Sequence, residues 1–445
     1  MEFSQFLPQF GGVAFTIVAF IVALSIIVAI HEYGHYIVGR WSGIHAEVFS
    51  LGFGPVLFSR KDKHGTVWQV AALPFGGYVK FLGDANAASV GSDDAGLNAA
   101  QRRRTMLGAP LWARSATVAA GPLFNFALSF LIFAAVVMIE GRAADPLTVK
   151  AVDPLPASYV QELQPGDEVL AIAGRETPLL EEFDTFIDTL PYDPVMDYRI
   201  LRDGQEMTVR GPYPYPPIVQ GLSPQSAALD VDLRIGDVIL TIDGEEVRAF
   251  ERLREIVGES DGSPLALEVW RNGEVLDFTL VPRRADLPRA EGGFETRYLI
   301  GINGGLFFEP ATATPGLWEA ITYGAGQVWF IITSSLSGLW YMITGAISTC
   351  NLAGPVGIAE TSGAMASQGA QSFIWFVALL STAVGLLNLF PIPVLDGGHL
   401  VFHAYEAVTG KPPSDGVLRV LMAVGISLIL TLMIFALAND LFLCP

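Results

Sequence analysis

Four long runs of uncharged, mostly apolar residues constrain this chain more than any other feature of its sequence. They cover residues 12–30, 115–139, 361–395 and 420–438. As helices rising about 1.5 Å per residue, all four are long enough to cross a hydrocarbon core about 30 Å thick. With 51% hydrophobic and 16% charged residues, the chain is also too apolar for an ordinary soluble protein. We therefore predict a multi-pass α-helical membrane protein with four transmembrane helices.

The charges between these runs predict their orientation. Residues 36–114 carry nine Lys or Arg against five Asp or Glu, whereas residues 140–316 carry 15 against 32. Short loops rich in Lys and Arg stay in the cytoplasm. We therefore place residues 36–114 in the cytoplasm and the acidic segment outside. Most of the net charge of −19 lies in that outer segment, which argues against nucleic-acid binding.

The acidic segment contains an internal repeat. Residues 166–176 (GDEVLAIAGRE) and 236–246 (GDVILTIDGEE) match at six of eleven positions. Each precedes two strand-like stretches joined by a tight turn, at Asp203-Gly204 and at Asn272-Gly273. The pattern resembles bacterial PDZ domains, which bind peptides by strand addition. We predict two tandem β-rich PDZ-like domains. Whether they bind peptides or act only as spacers stays open.

The two cysteines, Cys350 and Cys444, form neither a CxxC motif nor a larger set. Such a pair gives no framework of disulfides. We expect both residues to be inert.

The sequence HEYGH at residues 31–35 follows directly on the first apolar run. On a helix, His31 and His35 share one face, and Glu32 is placed to polarise a water molecule on a metal. Ionisable residues inside a membrane segment are costly and usually functional. Two buried structural histidines are the alternative interpretation.

A catalytic zinc site needs a third protein ligand. Asp396 follows the third apolar run, within the sequence LDGG. If four helices cross, the first and third run in the same direction, and His31, His35 and Asp396 lie near the same cytoplasmic boundary. This requires that residues 317–345 do not cross. Their polar residues fall mostly on one helical face, which predicts an amphipathic helix in the interface.

These motifs together resemble the site-2 protease family of intramembrane zinc metalloproteases. HEYGH, GPLFN at residues 121–125, the PDZ-like domains and the segment from Asn388 through LDGG occur in the family's order. Ala383 departs from the pattern, because many members carry an asparagine there. The resemblance implies Zn²⁺ as cofactor and the following residue roles: Glu32 catalytic; His31, His35 and Asp396 as metal ligands; Asn388, Gly121 and Asn125 in substrate binding.

The resemblance also implies a location and partners. The protein would lie in the bacterial inner membrane, with its PDZ-like domains in the periplasm and its active site near the cytoplasmic side. It would cleave single-pass membrane proteins already cut by another protease, such as an anti-sigma factor in envelope stress signalling. A general clearance protease for signal-peptide remnants and a non-catalytic PDZ scaffold are the alternatives.

Residues 53–83 match a further family feature, a β-hairpin that dips into the membrane. Residues 66–71 and 77–82 are predicted to be its strands, and a purely structural cytoplasmic hairpin is the alternative. The complete predicted organisation is a first transmembrane helix at 1–38, a cytoplasmic loop with the hairpin at 39–110, a second transmembrane helix at 111–140, PDZ-like domains at 145–212 and 213–310, an interfacial helix at 315–346, a third transmembrane helix at 361–398, a cytoplasmic loop at 399–418 and a fourth transmembrane helix at 419–440.

Overall fold

The computed structural model describes residues 12–84, 98–288 and 294–443, which form two compact units. Unit 1 contains the chain through Val136, Leu317–Thr344 and the chain from Thr349 on, and unit 2 contains Val137–Gly316 and Gly345–Ser348. The helices are α1 (Val13–Trp41), α2 (Ala99–Arg102), α3 (Leu111–Glu140), α4 (Phe183–Ile187), α5 (Ala227–Asp230), α6 (Phe250–Glu259), α7 (Leu317–Ile343), α8 (Pro355–Ser367), α9 (Ala370–Asn388), α10 (Asp396–Thr409) and α11 (Asp415–Ala438). The strands are β1 (Ala46–Lys61), β2 (Val67–Phe81), β3 (Arg142–Ala143), β4 (Val149–Val152), β5 (Glu168–Ile172), β6 (Arg175–Glu176), β7 (Met196–Arg202), β8 (Gln205–Gly211), β9 (Gly221–Leu222), β10 (Val238–Ile242), β11 (Glu245–Glu246), β12 (Leu265–Arg271), β13 (Glu274–Leu280), β14 (Arg283–Pro288), β15 (Phe294–Leu299), β16 (Ile302–Asn303), β17 (Phe308–Pro310) and β18 (Thr312–Ala313).

Four helices in the described part of the chain are long and apolar enough to cross a membrane, as predicted. They are α1, α3, α9 and α11, the last extended to Leu443 by a π-helical turn. The third is shorter than its apolar run, because the run is broken at Gly369. This residue has φ +121°, a conformation that glycine adopts readily and other residues avoid. Residues 355–367 therefore form a separate helix, α8, before α9 begins.

The segment predicted to lie in the interface forms α7, which is not one of the four candidate spans of the described residues. One face of α7 packs on α3 and α9: Ile331 contacts Phe133 and Ala378, and Gly324 lies against the backbone of Phe130. Large apolar side chains remain exposed along the rest of the helix, including Trp318, Trp329, Phe330 and Trp340.

The hairpin of unit 1 is larger than the sequence predicted. Residues 66–71 and 77–82 were expected to pair as its two strands, but both belong largely to the long strand β2. Each instead pairs with β1: residues 48–51 of β1 are matched with 77–80 and also with 67–70. The glycine-containing bends near residues 52–54 and 76 allow the two long strands to fold over each other in this way.

In unit 2, the sequence repeat appears as two sheets with the same strand order. One sheet is β6-β5-β7-β8 and the other is β11-β10-β12-β13. The repeated Gly-Asp supplies a fully buried carboxylate in each: Asp167 accepts two hydrogen bonds from Arg202, and Asp237 accepts two from Arg271. The arginine stands just before the tight turn in both copies, so the repeat encodes a long-range ion pair as well as its turns.

The two β-rich modules of unit 2 are nested. Strand β17, which follows the second module in sequence, pairs with β4 at the start of the first. The second module closes on itself inside this pairing, through β9 and β16. The chain thus returns to the first module, at β17, after the predicted boundary between residues 212 and 213.

The end of α11 is hydrogen-bonded to the segment before α8 and to the start of α8. Asn439 donates to the carbonyl of Thr349, and the Asp440 carboxylate accepts from the backbone N–H groups of Gly354, Val356 and Gly357 at the start of α8. Cys350 is disulfide-bonded, so the prediction of inert cysteines is wrong for this residue; Cys444 lies outside the described residues.

Candidate metal centre

Three ligand atoms from α1 and α10 converge in unit 1. His31 and His35 lie one turn apart on α1, and their Nε2 atoms are 3.2 Å apart. Asp396 is the first residue of α10, and its Oδ2 lies 3.1 Å from His31 Nε2 and 3.5 Å from His35 Nε2. These residues form the only three-residue group of potential metal ligands in the described ranges.

This triangle fits a tetrahedral zinc site. Metal–nitrogen and metal–oxygen bonds of about 2.0–2.1 Å in a tetrahedron place neighbouring ligand atoms about 3.3 Å apart. The three observed separations bracket that value. Asp396 Oδ2 is buried and has no hydrogen-bond partner among the described residues, although it stands beside two imidazole nitrogens. Two imidazoles and one carboxylate also form the donor set of a catalytic site with a fourth position open.

The sequence around Asp396 explains how α10 can begin there. Helix α9 ends at Asn388, and a short turn containing two prolines leads to Asp396. A Cβ on Gly397 would lie 2.2 Å from the carbonyl oxygen of Leu389, and one on Gly398 would lie 2.3 Å from that of Ile392. Only glycine permits such close approach. The two glycines of LDGG therefore let the first turn of α10 rest on the turn before it, and the helix N-terminus favours the aspartate charge.

One face of α3, formed by Thr117, Gly121 and Asn125, lies against the two imidazoles. The carbonyl of Thr117 accepts a hydrogen bond from His35 Nδ1 at 2.8 Å, which leaves Nε2 free to bind a metal. One turn later, a Cβ on Gly121 would lie 2.4 Å from His35 Nε2 and 2.8 Å from His31 Cε1. Another turn on, the side chain of Asn125 lies 3.3 Å from His31 Nδ1. The GPLFN motif thus supplies space for both rings and a polar contact to one of them.

Glu32, on α1, faces strand β2. Its Cγ would be 3.1 Å from a Cβ on Gly77, and the backbone N–H of Val79 hydrogen-bonds to its carboxylate. Among the described strands, residues 77–81 pair on one side only, with β1. The carboxylate next to the histidines therefore borders a strand edge.

Asn388 and Ala383 lie on α9. The Asn388 amide is half-buried and donates to the carbonyl of Val384 in the same helix. Ala383 is half-buried and carries no polar group.

Sequence reasoning missed two polar links between α3 and α10. Arg114 donates two hydrogen bonds to Glu406, at 3.0 and 2.6 Å, and both side chains are largely buried. Ser115 lies 3.2 Å from His403 Nδ1. These links hold the helix that begins with Asp396 against the helix that faces the histidines. Arg114, the charge directly before the second apolar run, was the one available signal.

Comparison with known proteins identifies the family. The sequence model of peptidase family M50 matches residues 19–432. The chain belongs to this family. A protein of Agrobacterium fabrum named "Putative zinc metalloprotease" is 37% identical over 435 residues, covering 95% of each chain. One of Rhizobium meliloti with the same description is 36% identical over 96% of each chain. The regulator of sigma-E protease of Salmonella typhimurium is 31% identical over 96% of this chain and 99% of its own. The family's peptidase character agrees with the motifs at residues 31–35 and 395–398.

Proposed function

We propose that this protein is an intramembrane zinc endopeptidase of the site-2 protease type. The observation that carries the proposal is the triangle of His31, His35 and Asp396, whose edges match a tetrahedral zinc site. Both histidines lie within α1, a candidate membrane span, where ionisable groups are costly without a function. The relatives named as zinc metalloproteases agree with zinc as the cofactor.

The residues around the triangle have separate roles in this proposal. Zinc held there supplies Lewis acidity, which polarises a peptide carbonyl and lowers the pKa of a water. Glu32 takes the proton of the attacking water and passes it to the leaving amine. A transmembrane substrate must unwind locally before cleavage, because its peptide groups are hydrogen-bonded within its own helix. The free edge of residues 77–81 receives the unwound segment as an added strand beside Glu32.

The exposed end of the hairpin supports its insertion into lipid. Val56, Leu57 and Phe58 on β1 are 49%, 70% and 64% exposed. Three consecutive large apolar side chains this exposed favour an apolar environment over water. We therefore propose that this part of β1 dips into the cytoplasmic leaflet.

The proposed orientation places the N-terminal end of α1 outside and its histidine end toward the cytoplasm. The arginines at residues 102–104, between α1 and α3, support a cytoplasmic loop. The disulfide at Cys350, beside the end of α11, supports the opposite face as the periplasm, because disulfides persist in oxidising compartments. Helix α7 would lie along that outer surface: its first end follows β18, which pairs beside the end of α3, and its second leads to Thr349 beside the end of α11.

The modules of unit 2 are proposed to be PDZ-like domains. A groove of about 560 Å³ supports this assignment. Helix α6 forms one wall, with Phe250 and Val257, and residues 299–304 form the other. A groove between a helix and an extended segment is where such domains add a peptide strand.

The proposed substrates are single-pass membrane proteins already cut outside the membrane, such as an anti-sigma factor or a signal-peptide remnant.

Replacing Glu32 by glutamine tests the proposal. Purified protein should retain one zinc per chain, whereas cleavage of a model transmembrane peptide should fall by at least about 100-fold, because proton transfer contributes that much or more. Glu274→Gln, at an exposed position on β13, is the matched control and should cleave normally. If the protein is instead a non-catalytic scaffold, it would bind peptides in the groove of unit 2, but even the unmodified protein would not cleave the model peptide.

A further inference from the structure

The two histidines of the metal centre receive different hydrogen bonds from α3. His35 Nδ1 faces the carbonyl of Thr117, which can only accept. The proton of His35 is therefore on Nδ1, and its Nε2 presents a lone pair. His31 Nδ1 instead faces a side-chain amide, that of Asn125, which offers either a donor or an acceptor.

The orientation of this amide decides which nitrogen of His31 is protonated. With Nδ2 toward the ring, the amide donates to Nδ1, the imidazole proton moves to Nε2, and Nε2 cannot bind a metal. With the amide turned by 180°, Oδ1 accepts from Nδ1–H and Nε2 keeps its lone pair. The shape of the side chain is nearly the same in both orientations.

Two features of Asn125 suit it to this task. The residue is fully buried, and with Nδ2 toward His31 its Oδ1 finds no hydrogen-bond partner in the described ranges. Turning the amide gives this oxygen a donor. The backbone of Asn125 is also fixed, because Ser129 and Ser381 both donate to its carbonyl oxygen at 3.1 Å. Rotation of the terminal amide is the adjustment that remains.

We propose that Asn125 is a positioning residue that selects the Nδ1-protonated form of His31 and so directs Nε2 toward the metal. The inference rests on the proposed zinc peptidase function. It assigns Asn125 the role of orienting the metal ligand His31 rather than of contacting the substrate. An acceptor on the second ring nitrogen of a ligating histidine fixes its tautomer and raises its basicity. Loss of such an acceptor typically weakens metal binding 10- to 100-fold.

The test compares Asn125→Leu, which removes the acceptor at similar size, with Asn125→Asp, which keeps an acceptor and cannot donate. Zinc affinity of the full chain is measured in detergent, without substrate, by competition with a chromophoric chelator, and the visible spectrum of the Co²⁺-loaded protein reports the ligand set. Asn125→Leu should bind zinc 10- to 100-fold more weakly with an altered cobalt spectrum. Asn125→Asp should bind within a few-fold of the unmodified chain.

The matched control Asn439→Leu removes a different buried side-chain amide, one that donates to the carbonyl of Thr349 at the far end of α11. It should leave zinc affinity unchanged. Equal losses in Asn125→Leu and Asn125→Asp would overturn the proposal in favour of a packing role. Unchanged zinc affinity in both, with a raised KM, would overturn it in favour of substrate contact. If the unmodified chain binds zinc but cleaves nothing, the proposed peptidase function fails, while the affinity comparison still decides the role of Asn125.

Discussion

Replacing Gly121 by alanine tests how closely α3 must approach the two histidines. The added Cβ would lie 2.4 Å from His35 Nε2, 2.5 Å from its Cε1 and 2.8 Å from His31 Cε1, whereas ordinary contacts begin at 3.4 Å. At least one imidazole must therefore retreat by about 1 Å or α3 must move outward. Zinc ligands tolerate displacements of only about 0.2 Å. A misplacement of about 1 Å near the reacting groups costs about 100-fold in rate.

We expect Gly121→Ala to lower zinc affinity and cleavage by about 100-fold each while the helices remain folded. Zinc per chain and chelator competition measure zinc affinity, and cleavage of a model transmembrane peptide measures activity. Circular dichroism of the helices and unfolding in the presence of a chelator show whether the helices remain folded. Gly326→Ala is the matched control, because it lies in α7 with no atom within 4 Å of its added methyl group. A Gly121→Ala protein with unchanged zinc affinity and rate would refute the packing argument.

Two further predictions concern buried ion pairs. Arg114→Ala should destabilise the chain by about 3 kcal/mol, because it strands the largely buried Glu406, and exchanging the two charges in a double variant should recover part of the loss. Chemical unfolding measures this, and a loss below about 0.5 kcal/mol would contradict the role of the pair. In unit 2, Arg202→Ala should also cost about 3 kcal/mol, because Asp167 is fully buried. The control Arg199→Ala breaks an exposed ion pair and should cost no more than about 1 kcal/mol, and similar losses in both variants would contradict the reasoning.

The proximity of His31, His35 and Asp396 could be predicted because it follows from simple rules. A spacing of four residues sets the two imidazoles on one helical face. The order of apolar runs then brings the end of the third near the end of the first. Thr117 could not be predicted in this way, since it contributes a backbone carbonyl, which every residue type possesses. Its position depends on how α3 packs against α1.

Long-range pairing limited the prediction of the rest of the fold. Local pattern located the strands near residues 66–71 and 77–82, but their partner is the preceding strand β1. The third apolar run has no charge to mark its interruption, so Gly369 was the one local signal that α8 and α9 are separate. The repeat in unit 2 was visible in sequence because each copy carries its own turn and its own buried aspartate.

The nesting of the modules affects how this protein can be shortened. A fragment ending at residue 212 would lack β17 and would leave the edge of β4 unpaired, exposing a site for aggregation. Joining the chain across residues 213–307 would keep β4 with its partner, but it would remove Tyr213, Ile218 and Phe307 from the buried core of the outer module. The outer module must therefore be expressed together with the later segments that complete its sheet and its core.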